Sequence, residues 1–232
     1  MPDERVMLIT GASTGIGAAT ARQAVAAGWR VALGARSEDK LSALVDELGE
    51  SSALASRCDV TDFSDQEAFV AAALERFGRI DAAFANAGFG AARGFLEEDP
   101  EQWRRMVLTN VLGVAYTIRA ALPHFKERRA GHFVLTSSVA GRRSLPGSLY
   151  SATKWAVTGM GESLRQELRQ DEGSQVRVTL IEPGMVDTPF FDQRKTGVLE
   201  ADDIARIVMF ALEQPSHVDV NEILVRPTSQ AP

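Results

Sequence analysis

Ser138, Tyr150 and Lys154 are the side chains of this 232-residue sequence that most invite chemistry. Tyr150 and Lys154 stand four apart in Tyr150-Ser151-Ala152-Thr153-Lys154, so a helix sets both on one face. A phenol beside an ammonium is an acid/base arrangement, because nearby positive charge favours phenolate and draws a tyrosine pKa down from about 10. Ser138 follows His132-Phe133-Val134-Leu135-Thr136-Ser137, which reads as a buried strand, and could bring a hydroxyl to the same space. Decoration of a helix surface is the competing reading, and the spacing alone leaves both open. Near the N-terminus, Thr10-Gly11-Ala12-Ser13-Thr14-Gly15-Ile16-Gly17 joins a strand to a helix. Such a turn lets a phosphate approach backbone N–H groups at a helix N-terminus. The spacing is G-x-x-x-G-x-G, not G-x-G-x-x-G, and glycine also serves any tight turn.

These groups need a scaffold, and the periodicity supplies one. Apolar runs predict strands over residues 6–9, 31–33, 53–58, 80–85, 133–136, 176–181 and 222–225. Between them, helical spacing predicts helices over 15–27, from Ser37 as N-cap, from Thr61 or Asp62 to 77, from Pro100, over 150–169 and over 202–212. The Pro100 helix is expected to run to Pro123, or kinked into Phe125. Alternating strands and helices mean a doubly wound α/β domain, a parallel sheet of seven strands with helices on both faces. No repeat, low-complexity segment or linker divides residues 1–232, so one domain is expected.

Composition narrows the classes. A net charge of −6 gives no reason to expect nucleic acid or an anionic membrane as partner. No secretory h-region and no apolar run of spanning length is apparent, so a cytoplasmic protein is expected. The single Cys58 excludes an intrachain disulfide, and His124, His132 and His217 are scattered without ligand spacing, so no metal site is expected. No G-x-S-x-G elbow supports a hydrolase.

Taken in order, Thr10-Gly11-x-x-x-Gly15-x-Gly17, Asn86-Ala87-Gly88, Asn110, Ser138, Tyr150-x-x-x-Lys154 and Pro183-Gly184 resemble the short-chain dehydrogenase/reductase family in its compact form, over about residues 6–228. The resemblance implies a Rossmann-like NAD(P)-binding fold and an oxidoreductase interconverting a carbonyl compound and an alcohol. It implies that Gly11, Ser13, Thr14, Gly15, Ile16 and Gly17 cradle the pyrophosphate and ribose, that Asp59 and Val60 contact adenine, and that Asn86, Ala87 and Gly88 line the cleft. Pro183, Gly184, Val186 and Thr188 would meet the nicotinamide end, with Thr188 on the carboxamide. Tyr150 would be general acid and base, Ser138 would polarise the substrate oxygen, and Lys154 would lower the Tyr150 pKa and hold the ribose. Asn110 would anchor a water chain to Lys154; without the resemblance it reads as a solvent-facing helix residue. A cofactor-binding regulator without catalysis is the alternative function.

Arg36, after the second strand, favours NADP(H) over NAD(H), since a guanidinium grips a 2′-phosphate where a carboxylate would repel it. The family implies a lid, here residues 189–200, with Phe190 and Phe191 as its large apolar groups. The tail from Val220 to Thr228 is similar to a 3-hydroxy acid and serine dehydrogenase branch. Phe89, Ala91, Ala92 and Phe95 offer an apolar approach, while Arg93, Arg142 and Arg143 offer carboxylate partners. A small or open-ended ketone or 3-hydroxy compound is the expected substrate. A homodimer or homotetramer is expected through the helices of Asn110 and Tyr150, with Trp103, Trp155, Val157, Met160 and Leu164 supplying apolar surface.

Overall fold

Strands and helices alternate from one end of the chain to the other. The structure, a computed structural model, describes residues 5–90, 92, 94–190 and 196–230; Ala91, Arg93 and Phe191 lie outside them. The elements are β1 Val6–Thr10, α1 Gly15–Ala26, β2 Arg30–Ala35, α2 Glu38–Leu48, β3 Ala53–Arg57, α3 Phe63–Phe77 and β4 Ala82–Ala85. There follow α4 Pro100–Val107, a π-helical turn Leu108–Leu112, α5 Gly113–Arg128, β5 Ala130–Thr136, a 3-10 turn Val139–Gly141 and α6 Leu149–Gln170. The chain closes with β6 Gln175–Pro183, β7 Val186–Asp187, β8 Leu199–Glu200, α7 Ala201–Leu212 and β9 Glu222–Val225.

Seven of these strands form one parallel sheet in the order β3-β2-β1-β4-β5-β6-β9. The order reverses between β1 and β4, where an open α/β sheet leaves a crevice at its carboxyl edge. Successive side chains of a strand point to opposite faces, and β1 divides accordingly. Val6 and Leu8 pack with Phe69, Phe125, Phe133, Val157 and Leu164 of α3, α5, β5 and α6. Met7 and Ile9 pack with Ala21, Leu41, Phe84 and Ile204 of α1, α2, β4 and α7. Both faces are covered, which is why β1, β2 and β4 read as continuous apolar runs.

Four expectations change. The helix from Pro100 passes through Pro123 and ends at Arg128, interrupted by the π turn instead of the proline. This 29-residue stretch contains an 18-residue window of mean hydropathy 1.3, so a run of spanning length does exist; its Met106, Val114, Ile118 and Phe125 are buried in the fold, as in a core helix. Ser37 stands at the N-cap of α2 but its side chain makes no capping bond. A separate two-stranded pair, β7 with β8, ties Val186 to Leu199 and Asp187 to Glu200, closing the base of the segment expected as a lid.

Candidate active site

At the switch point the first polar contacts are made by Thr10, which ends β1. Its hydroxyl accepts from Asn86 N at 3.1 Å and Ala87 N at 3.3 Å. Asn86 Nδ2 donates back to Thr10 O at 3.2 Å, and Asn86 Oδ1 accepts from Thr136 Oγ1 at 3.3 Å. One amide thus joins the ends of β1, β4 and β5. The crossing leaves no room at residue 11, where a Cβ would come within 2.8 Å of Ala87 Cα and φ is +65°; glycine is required there.

A cleft of about 500 Å³ opens from this crossing. Gly11, Ser13, Thr14, Gly15, Ile16, Arg36, Asp59 and Val60 line one part of it and Ser138, Tyr150, Lys154 and Phe190 another, with Asn86, Ala87, Gly88, Pro183, Gly184 and Val186 also in its wall and Thr188 packed against Gly15. Gly17 and Asn110 lie behind the wall. Gly17 sits where a Cβ would meet Asn86 Nδ2 at 2.9 Å, so it serves the crossing.

The helix termini at this edge differ in a telling way. At α7, Glu200 and Asp203 form a reciprocal capping box, and at α3 the Asp62 carboxylate accepts from Ser64 N. At α1, as at α6, the N-cap side chain makes no capping bond and no acidic residue stands in the first turn, and at α1 the glycine-rich turn leaves that terminus open. Its N–H donors and positive dipole end face the cleft beside Gly15, a ready anion site. Arg36 is exposed on the same wall. The Asp59 carboxylate is turned to its own loop, accepting from Thr61 N at 3.0 Å and Thr61 Oγ1 at 2.8 Å. These features fit a dinucleotide with a pyrophosphate at α1.

At the other end, neighbouring serines take opposite directions. Ser137 Oγ donates to Lys154 O at 3.0 Å and meets Thr158 Oγ1 at 2.8 Å, beneath α6. Ser138 caps the 3-10 turn, its Oγ accepting from Ala140 N at 3.1 Å and donating to Pro183 O at 3.3 Å, on the cleft wall that Tyr150 also lines. Lys154 is buried, its Nζ donating to Thr136 O at 2.8 Å and lying 5.6 Å from the centre of the Tyr150 ring. That single bond leaves the other donors of the ammonium for a ligand. Phe190 stacks edge-on against Tyr150, ring centres 5.7 Å apart.

The electrostatics correct one expectation. Burial pushes the Tyr150 pKa up to about 12, against a smaller lowering by the Ser138 hydroxyl, and burial pulls Lys154 down to about 8. Desolvation therefore dominates at Tyr150, and the phenol stays protonated at neutral pH. Asn110 is also not solvent-facing: it is fully buried in the π turn. Its Oδ1 accepts from Phe89 N at 3.1 Å, and its Nδ2 donates to Phe89 O at 2.9 Å and Thr153 Oγ1 at 3.2 Å. π turns recur at functional sites because they redirect one side chain.

Arg142 is not placed to take a substrate carboxylate. Its Nε lies 2.6 Å from the buried Glu182 carboxylate, and its guanidinium also pairs with Glu222. Val157 and Leu164 are core residues, whereas Val107, Leu112 and Trp155 are the exposed apolar groups on the two long helices. His132 is buried against Thr179 Oγ1 at 2.7 Å with its pKa pulled down to about 3, and His124 accepts from Ile80 N. Thr10, Thr136 and Thr153 were missed by sequence reasoning. Thr10 had a signal, a polar residue closing a buried strand against the glycine turn; Thr153 had none beyond its neighbours.

The family model of short chain dehydrogenases matches residues 5–198. An uncharacterized oxidoreductase of Listeria monocytogenes is 39% identical over 244 residues, covering 97% of each chain. An alcohol dehydrogenase from the archaeon Thermococcus sibiricus, complexed with 5-hydroxy-NADP, is 34% identical with a TM-score of 0.90 and 99% of each chain covered. A serine dehydrogenase complexed with NADP+ is 31% identical with a TM-score of 0.91, covering 97% of this chain and 96% of the other.

Proposed function

The chain belongs to the short-chain dehydrogenase family, and on that premise we propose that it is an NAD(P)(H)-dependent oxidoreductase interconverting a carbonyl compound and an alcohol. The observation that carries the reading is that Ser138, Tyr150 and buried Lys154 share one wall of a cleft that also holds an uncapped helix N-terminus. A regulator that only binds a nucleotide has no need of a half-buried acid on the wall of the cleft. The nicotinamide cofactor supplies or accepts the hydride when bound. Gly11, Ser13, Thr14, Gly15 and Ile16 would hold its phosphates, with Gly17 making room behind them for the crossing, Val60 its adenine side, and Thr188 its carboxamide.

In reduction, Tyr150 gives its hydroxyl proton to the carbonyl oxygen as negative charge develops there. Ser138 donates a hydrogen bond to the same oxygen, in a site drier than bulk water where such a bond counts for more. Lys154 would bind ribose hydroxyls with the donors left by Thr136 and steady the phenolate that forms. Asn110 would hold the Phe89 backbone and anchor a water chain to Lys154, by way of which the proton would return to Tyr150. In oxidation Tyr150 must first lose its proton, so a phenol near 12 sets that direction at higher pH than reduction.

The substrate we favour is an uncharged ketone, small or open-ended. Arg36 and Lys154 are the only cations on the cleft wall among the described residues, and Arg142 is held by Glu182. Phe89, Gly90 and Phe190 give the reacting end an apolar rim. Arg36 would select NADP(H), and the segment over 189–200 would act as lid. Val107, Leu112 and Trp155 favour a homodimer or homotetramer, and a cytoplasmic location goes with this reading.

The test is loss of NADPH absorbance with a panel of ketones and aldehydes, alongside titration of NADPH. Turnover with at least one neutral ketone is expected. Tight NADPH binding with no turnover across the panel would favour the regulator instead.

A further inference from the structure

Gln66 lies on α3, is 1% exposed, and commits its whole amide to ties between two parts of the cleft. Its Nε2 donates to Val60 O at 3.0 Å and to Gly113 O at 2.8 Å, and its Oε1 accepts from Thr117 Oγ1 at 2.7 Å. Val60 belongs to the cleft-lining turn after β3, and Gly113 follows the π turn that carries Asn110. The two segments also touch. A Cβ on residue 113 would come within 2.8 Å of Val60 Cγ2, so they meet only because that residue lacks a side chain. The single Thr117 hydroxyl proton has two acceptors in reach, Gln66 Oε1 and, at 2.9 Å, Gly113 O. Rotating the amide would turn its oxygen towards the Val60 carbonyl and leave that carbonyl without a donor away from water, which is costly.

Resting on the function proposed above, we infer that Gln66 is a positioning residue that locks the Val60 turn to the Asn110 turn. The adenine side of the cleft and the side that returns the proton then keep their geometry as one unit. Gln66 itself does not line the cleft. It acts through Val60 on one side and through the π turn, Asn110 and the Phe89 backbone on the other.

The test uses the full chain with Gln66→Met, which keeps an unbranched shape and removes the donors. Should it fold poorly, Gln66→Leu with Thr117→Val removes the opposing hydroxyl as well and strands fewer polar groups. Three quantities are read. The first is amide exchange at Phe89, whose N–H bonds Asn110 Oδ1, relative to amides of β1 in the ligand-free protein. The second is Kd for adenosine 2′,5′-bisphosphate. The third is kcat for ketone reduction by the Gln66 variant alone and on an Asn110→Ala background.

Phe89 exchange should quicken about tenfold and the bisphosphate Kd rise about three- to tenfold. The fall in kcat should be about tenfold alone and under about twofold once Asn110 is gone, since two residues acting through one another are not additive. A core-filling role would lower Tm but leave Phe89 exchange and Kd within about twofold, and the kcat losses would multiply. That result overturns the lock. If no chain turns over a ketone while Phe89 exchange and Kd shift as expected, the oxidoreductase reading falls and the lock stands.

Discussion

At one end of the cleft, Gly11 and Gly15 bring backbone N–H groups to the start of α1, and of the two charged side chains beside them Asp59 is turned to its own loop and Arg36 is exposed. At the other end, Ser138, Lys154 and Asn110 are buried side chains, each held by a named partner: Pro183 O or Ala140 N, Thr136 O, and the Phe89 backbone. The first end is built from main chain and empty space, the second from desolvated polar groups. Backbone donors tolerate side-chain change around them and resist titration. Desolvated side chains carry shifted pKa values and fail steeply when one partner is lost. Variants at the second end should therefore act on rate, stability and pH together, and variants at the first on cofactor affinity.

The largest effect is expected at Tyr150. Tyr150→Phe should lower kcat by roughly 100-fold or more, as for loss of a general acid, while NADPH affinity by titration stays within about threefold. Near-normal turnover would break the contrast between the two ends. Arg142→Ala should follow, since it leaves the buried Glu182 carboxylate, already pushed up by burial, without its partner. Roughly 3 kcal/mol of stability should be lost in urea unfolding, the low end for a broken buried pair because Arg142 is partly exposed. A loss confined to the KM of carboxylate-bearing substrates would instead return Arg142 to the substrate.

Lys154 sharpens the comparison through pH. Its folded pKa of about 8 lies below the unfolded value of about 10.4, so the unfolded chain holds more protons between them. Stability of the ligand-free chain should rise with pH across that window, because the penalty of burying the charge is present below about 8 and relieved above it. Above pH 10 Tyr150 works the other way: its folded pKa of about 12 makes stability fall towards 12. Unfolding of Lys154→Met should lack the rise between pH 8 and 10; an identical rise would assign it to another group.

Smaller effects belong to the first end. Arg36→Asp should reverse the order of NADPH and NADH affinity, each shifting by roughly tenfold as one charge-assisted contact allows in a solvent-exposed site. Equal affinities in the unaltered protein would turn Arg36 away from the cofactor. The smallest concerns substrate charge. In a matched series of ketones with and without a carboxylate, kcat/KM should not gain more than about threefold from the carboxylate, since no spare cation stands at the reacting end among the described residues. A large gain would point to Arg93 or Arg143.

The same division governs what could be read from the chain alone. The alternation of apolar runs with 3.6-residue spacing determined the doubly wound sheet of seven strands, because both faces of each strand must be covered and the pattern records that directly. The glycine turn and the four-residue spacing of Tyr150 and Lys154 are likewise local, since a turn or one helix face is set by neighbours in sequence. The resemblance already chose Ser138, but the fate of Ser137 was decided only when β5 and α6 packed, its hydroxyl turning under the helix to Lys154 O while Ser138 Oγ bonds Pro183 O. The burial of Asn110, the capture of Arg142 by Glu182 and the bridge made by Gln66 join residues between 21 and 47 positions apart. Contacts at that separation carry no periodic signature. The pKa of Tyr150 was decided there as well, because desolvation depends on everything that surrounds a group, and four residues of spacing describe only one neighbour.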